Sequence, residues 1–316
     1  RELWTRRADP TSGPWRRCCQ RKIVYFLIEQ TSRIGMAMGF PAWIFSVMLR
    51  ISPARMRNWM WKWWYQRLAR SHDRSDFRFM NYGYKDDEKL KLSKEDEPNQ
   101  LFIQLYNMNI RDVNLKGKEV VEVGSGRGGG ASWIAKTYGP KKLIGFDFSK
   151  EAVKLSNEWY SSQTNLSFKE GNAESLPLED NSQDIIYNVE SSHCYGNVGA
   201  FVNEVYRALR TGGNFCWTDF RDKPTMEKLH EIFLDSGFQI VSKREITSEV
   251  LVALDEINET KVQGIRESVP RSMRKSFETF AGVQGTPVYE AFKADNLHYH
   301  RYLMVKVRRE SSLNDL

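Results

Sequence analysis

Only four cysteines occur among 316 residues, and Cys18, Cys19, Cys194 and Cys216 form no C-x-x-C pair. That leaves neither a zinc-ribbon signature nor a disulfide framework, and it points to a reducing compartment. Nor is there an uninterrupted bilayer span in "IGMAMGFPAWIFSVML" (34–49). It is uncharged for sixteen residues between Arg33 and Arg50, where about 20 are needed, and Pro41 breaks the helix. No small-residue cleavage pattern follows this run, so a secretory signal is not expected. No internal repeat is visible. His298 and His300 share one strand face without a third ligand in the sequence, and read as surface residues rather than a metal site.

What is abundant is positive charge, and it is unevenly placed. Residues 1–75 hold 15 Lys+Arg against four acids, a net of +11, so the rest of the chain carries −4 of the overall +7. The same segment holds seven of the ten tryptophans. "RISPARMRNWMWKWWYQRLAR" interleaves cations with Trp59, Trp61, Trp63, Trp64 and Tyr65. Tryptophan prefers the headgroup zone and cations are drawn to anionic lipid, so 1–75 reads as a membrane-associating extension. Two other readings fit: a helical flap on the body, and single-strand nucleic-acid binding through stacked aromatics. The interfacial chemistry favours the first, and nucleic acid is not expected as a partner.

Residues 76–116, with the charged run 85–100, read as lid and solvated linker. From 117 to 307 short apolar runs alternate with helical patterns, which predicts a Rossmann-like, doubly wound α/β sheet. Seven strands are expected, at 119–123, 142–148, 166–172, 184–191, 214–220, 239–245 and from 298 to the tail at 308. Helical residues 247–293 form a cap insertion before the last strand, and "EVYRALRTGG" (204–213) reads as a helix ending in a glycine turn into the fifth strand.

The stretch "VVEVGSGRGGGASWIAK" (120–136) packs five glycines into seven positions after the first strand. Gly124, Gly126 and Gly129 fit G-x-G-x-x-G, a weak dinucleotide signal by itself. Ligands of such sheets bind at the carboxyl ends of the strands, where a glycine turn exposes main-chain amides. Here Glu122 precedes the turn, a poor neighbour for a pyrophosphate and a good one for an amino-acid ammonium. S-adenosylmethionine has that ammonium and no phosphate. Asp147, 23 residues after Gly124, suits ribose hydroxyls, and "GNAESLPLED" supplies polar groups for adenine, with Asp184 opening the fourth strand.

Taken in order, "FMNYGY" (79–84), "EDEPNQ" (95–100), the glycine turn, "GNAESLPLED", "NVESSHCY" (188–195), "EVYRALRTGG" (204–213), "DFR" (219–221) and "FAGVQGT" (280–286) resemble the class I S-adenosylmethionine methyltransferases. Within them the chain most resembles the actinobacterial enzymes that O-methylate phthiotriol and phenolphthiotriol lipids, with sterol C-methyltransferases more distant. The resemblance covers 77–307 and implies a last strand antiparallel to the rest. It implies cofactor contacts at Glu122, Gly124, Ser125, Gly126, Gly128, Asp147, Phe148, Asn172, Ala173, Glu174, Asn188 and Tyr82. Asn172 stands where the family usually has Asp, and Thr211 where proline is common.

Methyl transfer needs alignment and, for a hydroxyl acceptor, a base. Glu190 and His193, three apart in the turn after the fourth strand, read as a carboxylate–imidazole pair with His193 as base. A structural His193 is the alternative. Tyr84, Asp219, Arg221 and Gln284 read as lining the acceptor site, and Tyr82 with Tyr84 as a lid or as core. The expected partner is a lipophilic small molecule at a membrane surface, with the catalytic domain on the cytoplasmic side. C-methylation of a sterol or prenyl lipid is the enzymatic alternative, and an inactive cofactor- or lipid-binding scaffold the non-enzymatic one. A nucleic-acid methyltransferase lacks support, since "NVES" stands where an N-P-P-Y motif would be.

Overall fold

The strands are β1 (Glu119–Val123), β2 (Lys142–Asp147), β3 (Leu166–Glu170), β4 (Gln183–Val189), β5 (Leu209–Arg221), β6 (Phe238–Glu245) and β7 (His298–Lys306). They come from a computed structural model that describes residues 78–88, 90–269, 271 and 274–308. All seven join one sheet in the order β3-β2-β1-β4-β5-β7-β6. β1 to β5 pair in parallel, and β7 runs antiparallel to both β5 and β6. The seven-stranded sheet with its reversed last strand is therefore as the sequence implies.

Its helices are α1 (Gln100–Ile110), α2 (Gly129–Tyr138), α3 (Lys150–Trp159), α4 (Val198–Ala208) and α5 (Lys223–Asp235). The cap holds α6 (Thr247–Glu256), α7 (Asn258–Ser268), α8 (Arg274–Phe280) and α9 (Pro287–Lys293). Local chemistry starts several of them. Ser149 Oγ accepts the Ala152 N–H at 3.3 Å, Asn197 Oδ1 that of Ala200 at 3.0 Å and Asp222 Oδ1 that of Thr225 at 2.8 Å, filling donors a helix start leaves open.

Alternate residues of the central strands feed two cores. Val120, Ile185, Tyr187, Cys216 and Tyr299 pack with α1, α2 and the cap residues Val250, Leu254 and Phe292. Val121, Ile186, Phe215, Trp217 and Tyr302 pack with α4 and α5 on the other face. With helices on both faces, the alternation still runs through strands that are apolar throughout.

Three boundaries differ from the sequence reading. α1 falls where linker was expected, and residues 103–110 of it are all buried. Gln104, Asn107 and Asn109 interrupt its apolar stripe, and the amide nitrogens of Gln104 and Asn109 find main-chain acceptors while their side-chain oxygens are buried without a partner. Asn109 Nδ2, for example, donates to the main-chain oxygens of Cys216 at 3.3 Å and Asn188 at 3.4 Å. α4 starts at Val198 rather than Glu204. The glycine turn expected to end it lies inside β5 as an irregularity, where Leu209 pairs with Gln183 and Asn214 with Ile185, with Gly212 at φ 81°. The extension at 1–75 lies outside the described residues. Among the described ones, no helix is long and apolar enough to cross a membrane.

Candidate active site

The turn after β1 uses its glycines in two ways. Gly128, at φ 77°, starts α2, and a Cβ there would overlap the Phe168 ring; one on Gly130 would overlap Tyr106. These glycines serve helix-to-sheet packing rather than ligand approach. Gly124 and Gly126 instead stay half-exposed at the carboxyl edge. The amides of Gly124 and Ser125 donate to Phe146 O at 2.8 and 3.0 Å, and that of Gly126 to Asp147 Oδ2 at 2.8 Å. Three turn amides are thus already bonded within the protein and are not free to take a pyrophosphate.

The residues present fit S-adenosylmethionine. Asn188 donates to Val123 O at 2.7 Å, Ser191 Oγ at 2.7 Å and Tyr195 Oη at 3.1 Å, while its Oδ1 is buried without a partner. Ser125 Oγ is also buried and unpartnered. An acceptor and a hydroxyl left open beside Gly124 suit an amino-acid ammonium and carboxylate. Asp147 accepts the Gly126 and Ser149 amides, each at 2.8 Å, and its half-buried carboxylate has lone pairs left for ribose hydroxyls. Burial raises its pKa to about 6 against those amide bonds. Next to it Phe148 is 53% exposed. Asn172 is exposed, and its Oδ1 accepts the Glu174 N–H at 3.0 Å. Ala173 packs against the α4–α5 core, and Glu174 Oε1 accepts the Asn197 N–H at 2.8 Å.

Glu122 is placed differently from the sequence reading. It is enclosed below the turn, at 0% exposure, with Oε1 accepting from Tyr106 Oη at 3.1 Å and Oε2 from Tyr187 Oη at 3.2 Å. Burial pushes its carboxyl up to about 8 against those two bonds. It braces β1, β4 and α1 rather than facing a ligand. Asp184 likewise sits at the far end of β4, where it accepts the Glu119 N–H and pairs with Arg210, each at 2.8 Å.

The turn after β4 also rearranges the expected pair. The carboxylate beside His193 is Asp219, not Glu190: His193 Nδ1 lies 2.9 Å from Asp219 Oδ1. Asp219 is fully buried at the end of β5 and accepts from Ser192 Oγ at 2.7 Å and from the amides of His193 at 2.9 Å and Phe220 at 2.8 Å. Arg221 stands 3.2 Å away and donates to Ser192 Oγ at 2.9 Å. Neither Asp219 nor Arg221 lines an open site, because strand pairing with β7 buries both; they hold the turn from beneath. Burial alone would raise Asp219, but Arg221 and His193 outweigh it and keep the carboxylate well below its usual range. Burial lowers His193, and Cys194 and Asp219 more than reverse this, so the imidazole stands well above 6.5.

Glu190 has its own partners. Its Oε2 accepts the Tyr82 N–H and Tyr299 Oη, each at 2.8 Å, and its φ is 46°. A non-glycine residue in that region costs of order 1–3 kcal/mol, and such strain gathers at functional sites. Burial raises Glu190 to about 7, against the Tyr82 amide, Tyr299 and His193.

The cap closes this end with aromatic rings. The centroid of Phe220 lies 4.6 Å from His193, 5.5 Å from Tyr82, 5.4 Å from Phe292 and 5.8 Å from Tyr299. Tyr82 is therefore both core and cover. Lys261 of α7, absent from the sequence reading, stands over Tyr82 and donates to Ala281 O at 2.9 Å. Its pKa falls to about 8 through burial, opposed by Glu190. A lysine in a polar helix gives no sequence signal of that position. Tyr84 is core rather than lid, with its amide on Leu101 O at 3.0 Å. Gln284 is exposed and donates to Asp255 Oδ1 at 2.6 Å, a bond within the cap. His298 and His300 are 9% exposed, not surface residues, because β6 and the end of the cap cover the start of β7.

Sheet order, reversed last strand, glycine turn and the residues around it define a class I methyltransferase site, and the comparisons agree. The family described as "Methyltransferase domain" matches residues 121–217. A probable phthiotriol/phenolphthiotriol dimycocerosates methyltransferase of Mycobacterium ulcerans is 33% identical over 243 residues, 76% of this chain and 94% of that protein. A fatty-acid O-methyltransferase of Mycolicibacterium smegmatis is 32% identical over 244 residues, 77% of this chain and 88% of that protein. The solved geranyl diphosphate C-methyltransferase of Streptomyces coelicolor A3(2) shares the fold, with a TM-score of 0.56 and 16% identity over 77% of this chain and 98% of that one. The chain belongs to the S-adenosylmethionine-dependent methyltransferase family of these mycobacterial enzymes.

Proposed function

We propose that the protein O-methylates a hydroxyl of a lipophilic acceptor, with His193 as general base. The carrying observation is the His193–Asp219 contact: with Nδ1 committed to a buried carboxylate, Nε2 is the nitrogen that takes a proton. When bound beside Gly124 and Asp147, S-adenosylmethionine would supply an electrophilic methyl on a cationic sulfur, whose carbon would bond to the acceptor oxygen as the C–S pair returned to the departing thioether. His193 removes the hydroxyl proton, and Asp219 stabilises the imidazolium that results. The aromatic wall excludes water and suits an apolar acceptor. The named lipid substrates of both mycobacterial relatives support that class. The interfacial chemistry of residues 1–75 supports a membrane-surface location for the protein, with the catalytic body on the cytoplasmic side, where such an acceptor is within reach.

Glu190 supports a second reading. A strained, half-buried carboxylate with a pKa near 7 suits a C-methylation in which a cation is held and a carbon-bound proton is lost. Incubation with methyl-labelled S-adenosylmethionine and membrane lipids separates the two. The first reading expects label in the organic phase as O–CH3 by NMR, whereas C–CH3 would overturn it in favour of the second.

A further inference from the structure

Away from the glycine turn, His298 and His300 point to the face of β7 opposite Tyr299. Cross-strand pairing sets Glu245, the last residue of β6, against His300. Asp295 follows α9 at φ 57°, with its side chain 88% exposed. Its carboxylate and that of Glu245 converge on one atom. His298 Nδ1 lies 3.0 Å from Glu245 Oε1 and 3.7 Å from Asp295 Oδ1. All three ligand atoms stand within 4.8 Å of one another. The same Glu245 Oε1 accepts from Thr247 Oγ1 at 3.0 Å. His300 Nε2 is 4.0 Å from Glu245 Oε2, and its Nδ1 is buried without a partner.

A hydrogen bond explains the 3.0 Å contact. It does not explain why a second carboxylate, from another element, approaches a ring nitrogen that carries at most one proton. A divalent cation in place of that proton satisfies both. Zinc binds imidazole nitrogen and carboxylate oxygen at about 2.0–2.2 Å, so tetrahedral ligand atoms stand roughly 3.3–3.6 Å apart. The two observed separations bracket that spacing.

We propose that Glu245, Asp295 and His298 form a site for a divalent transition-metal ion of the zinc class. The ion joins the end of β6, the exit of the cap and the start of β7. It is a clip on the cap, one residue from Tyr299, and takes no part in methyl transfer.

The test is calorimetric titration of the full-length, metal-stripped protein with zinc chloride alone. One ion per chain is expected. Its affinity should fall by about tenfold or more in His298→Ala and Asp295→Asn, given that even outer-shell partners of ligands act on that scale. Asp295→Asn changes an exposed group that tolerates a left-handed backbone, so it decides the matter if His298→Ala fails to fold. His193→Ala should leave the titration unchanged. Equal affinity in wild type and Asp295→Asn, loss in His193→Ala alone, or no zinc binding overturns the proposal.

Discussion

Replacing Asp219 by asparagine removes one charge and no volume, at a position where each oxygen has fixed work. Oδ1 faces the His193 ring and the Phe220 amide, and Oδ2 faces Ser192, the His193 amide and Arg221. Whichever way the new amide turns, its NH2 meets a main-chain N–H donor. Arg221, 4% exposed, also loses its carboxylate. Breaking a buried pair from one side costs about 3–5 kcal/mol, so a melting temperature lowered by many degrees is expected. Turnover, measured below the new melting point, should fall by about 10²–10⁴, the range for losing general-base assistance. Without the anion, the His193 pKa should drop back towards 6.5, moving the rising limb of the pH–rate profile to lower pH. Affinity for S-adenosylhomocysteine should change little. Full turnover with an unmoved limb would refute the reasoning.

Glu122 is neutral in the fold until about pH 8 but ionises near 4.5 when exposed, so stability should be lost as pH rises between those values. Glu122→Gln cannot ionise and should flatten that loss, by a few kcal/mol at most; urea midpoints at about pH 5 and 8.5 give the slopes, and identical slopes would contradict it. Asp147→Ala should weaken cofactor binding by roughly 1–3 kcal/mol, and wild-type affinity should itself decline as pH drops below about 6, where the carboxylate takes a proton. Calorimetry at several pH values checks both. Replacing Trp59, Trp61, Trp63 and Trp64 by alanine in the full chain should lower sedimentation with anionic liposomes, as should added salt. Retention equal to wild type would count against an interfacial role.

The sheet was legible because parallel strands buried on both faces leave apolar runs that stand out between polar helices. The meeting of the glycine turn with Asp147 was legible too, since Gly124 and Gly126 bond the end of the neighbouring strand through their own amides. Glu122 was not, because its neighbours Tyr106 and Tyr187 come from other elements. The same holds for the His193 partner: Glu190 is near in sequence, but a left-handed backbone turns it towards Tyr82 and Tyr299, and β5 brings in Asp219 from 26 residues away. α1 escaped notice because buried amides disguise it as polar. Spacing along the chain thus brought the glycine turn to Asp147 and misassigned the partners of Glu122 and His193.

The claim that His193 takes the acceptor's proton is tested most directly by His193→Gln in the labelled methyl-transfer reaction. Its side chain is 18% exposed, so the fold should persist. The account predicts turnover reduced by on the order of 10²–10⁴, with S-adenosylhomocysteine affinity near wild type. In the wild type it predicts a rate that rises with pH through a midpoint above 6.5, because only the neutral imidazole accepts a proton. Near-normal turnover in His193→Gln, with a flat wild-type profile, would contradict it.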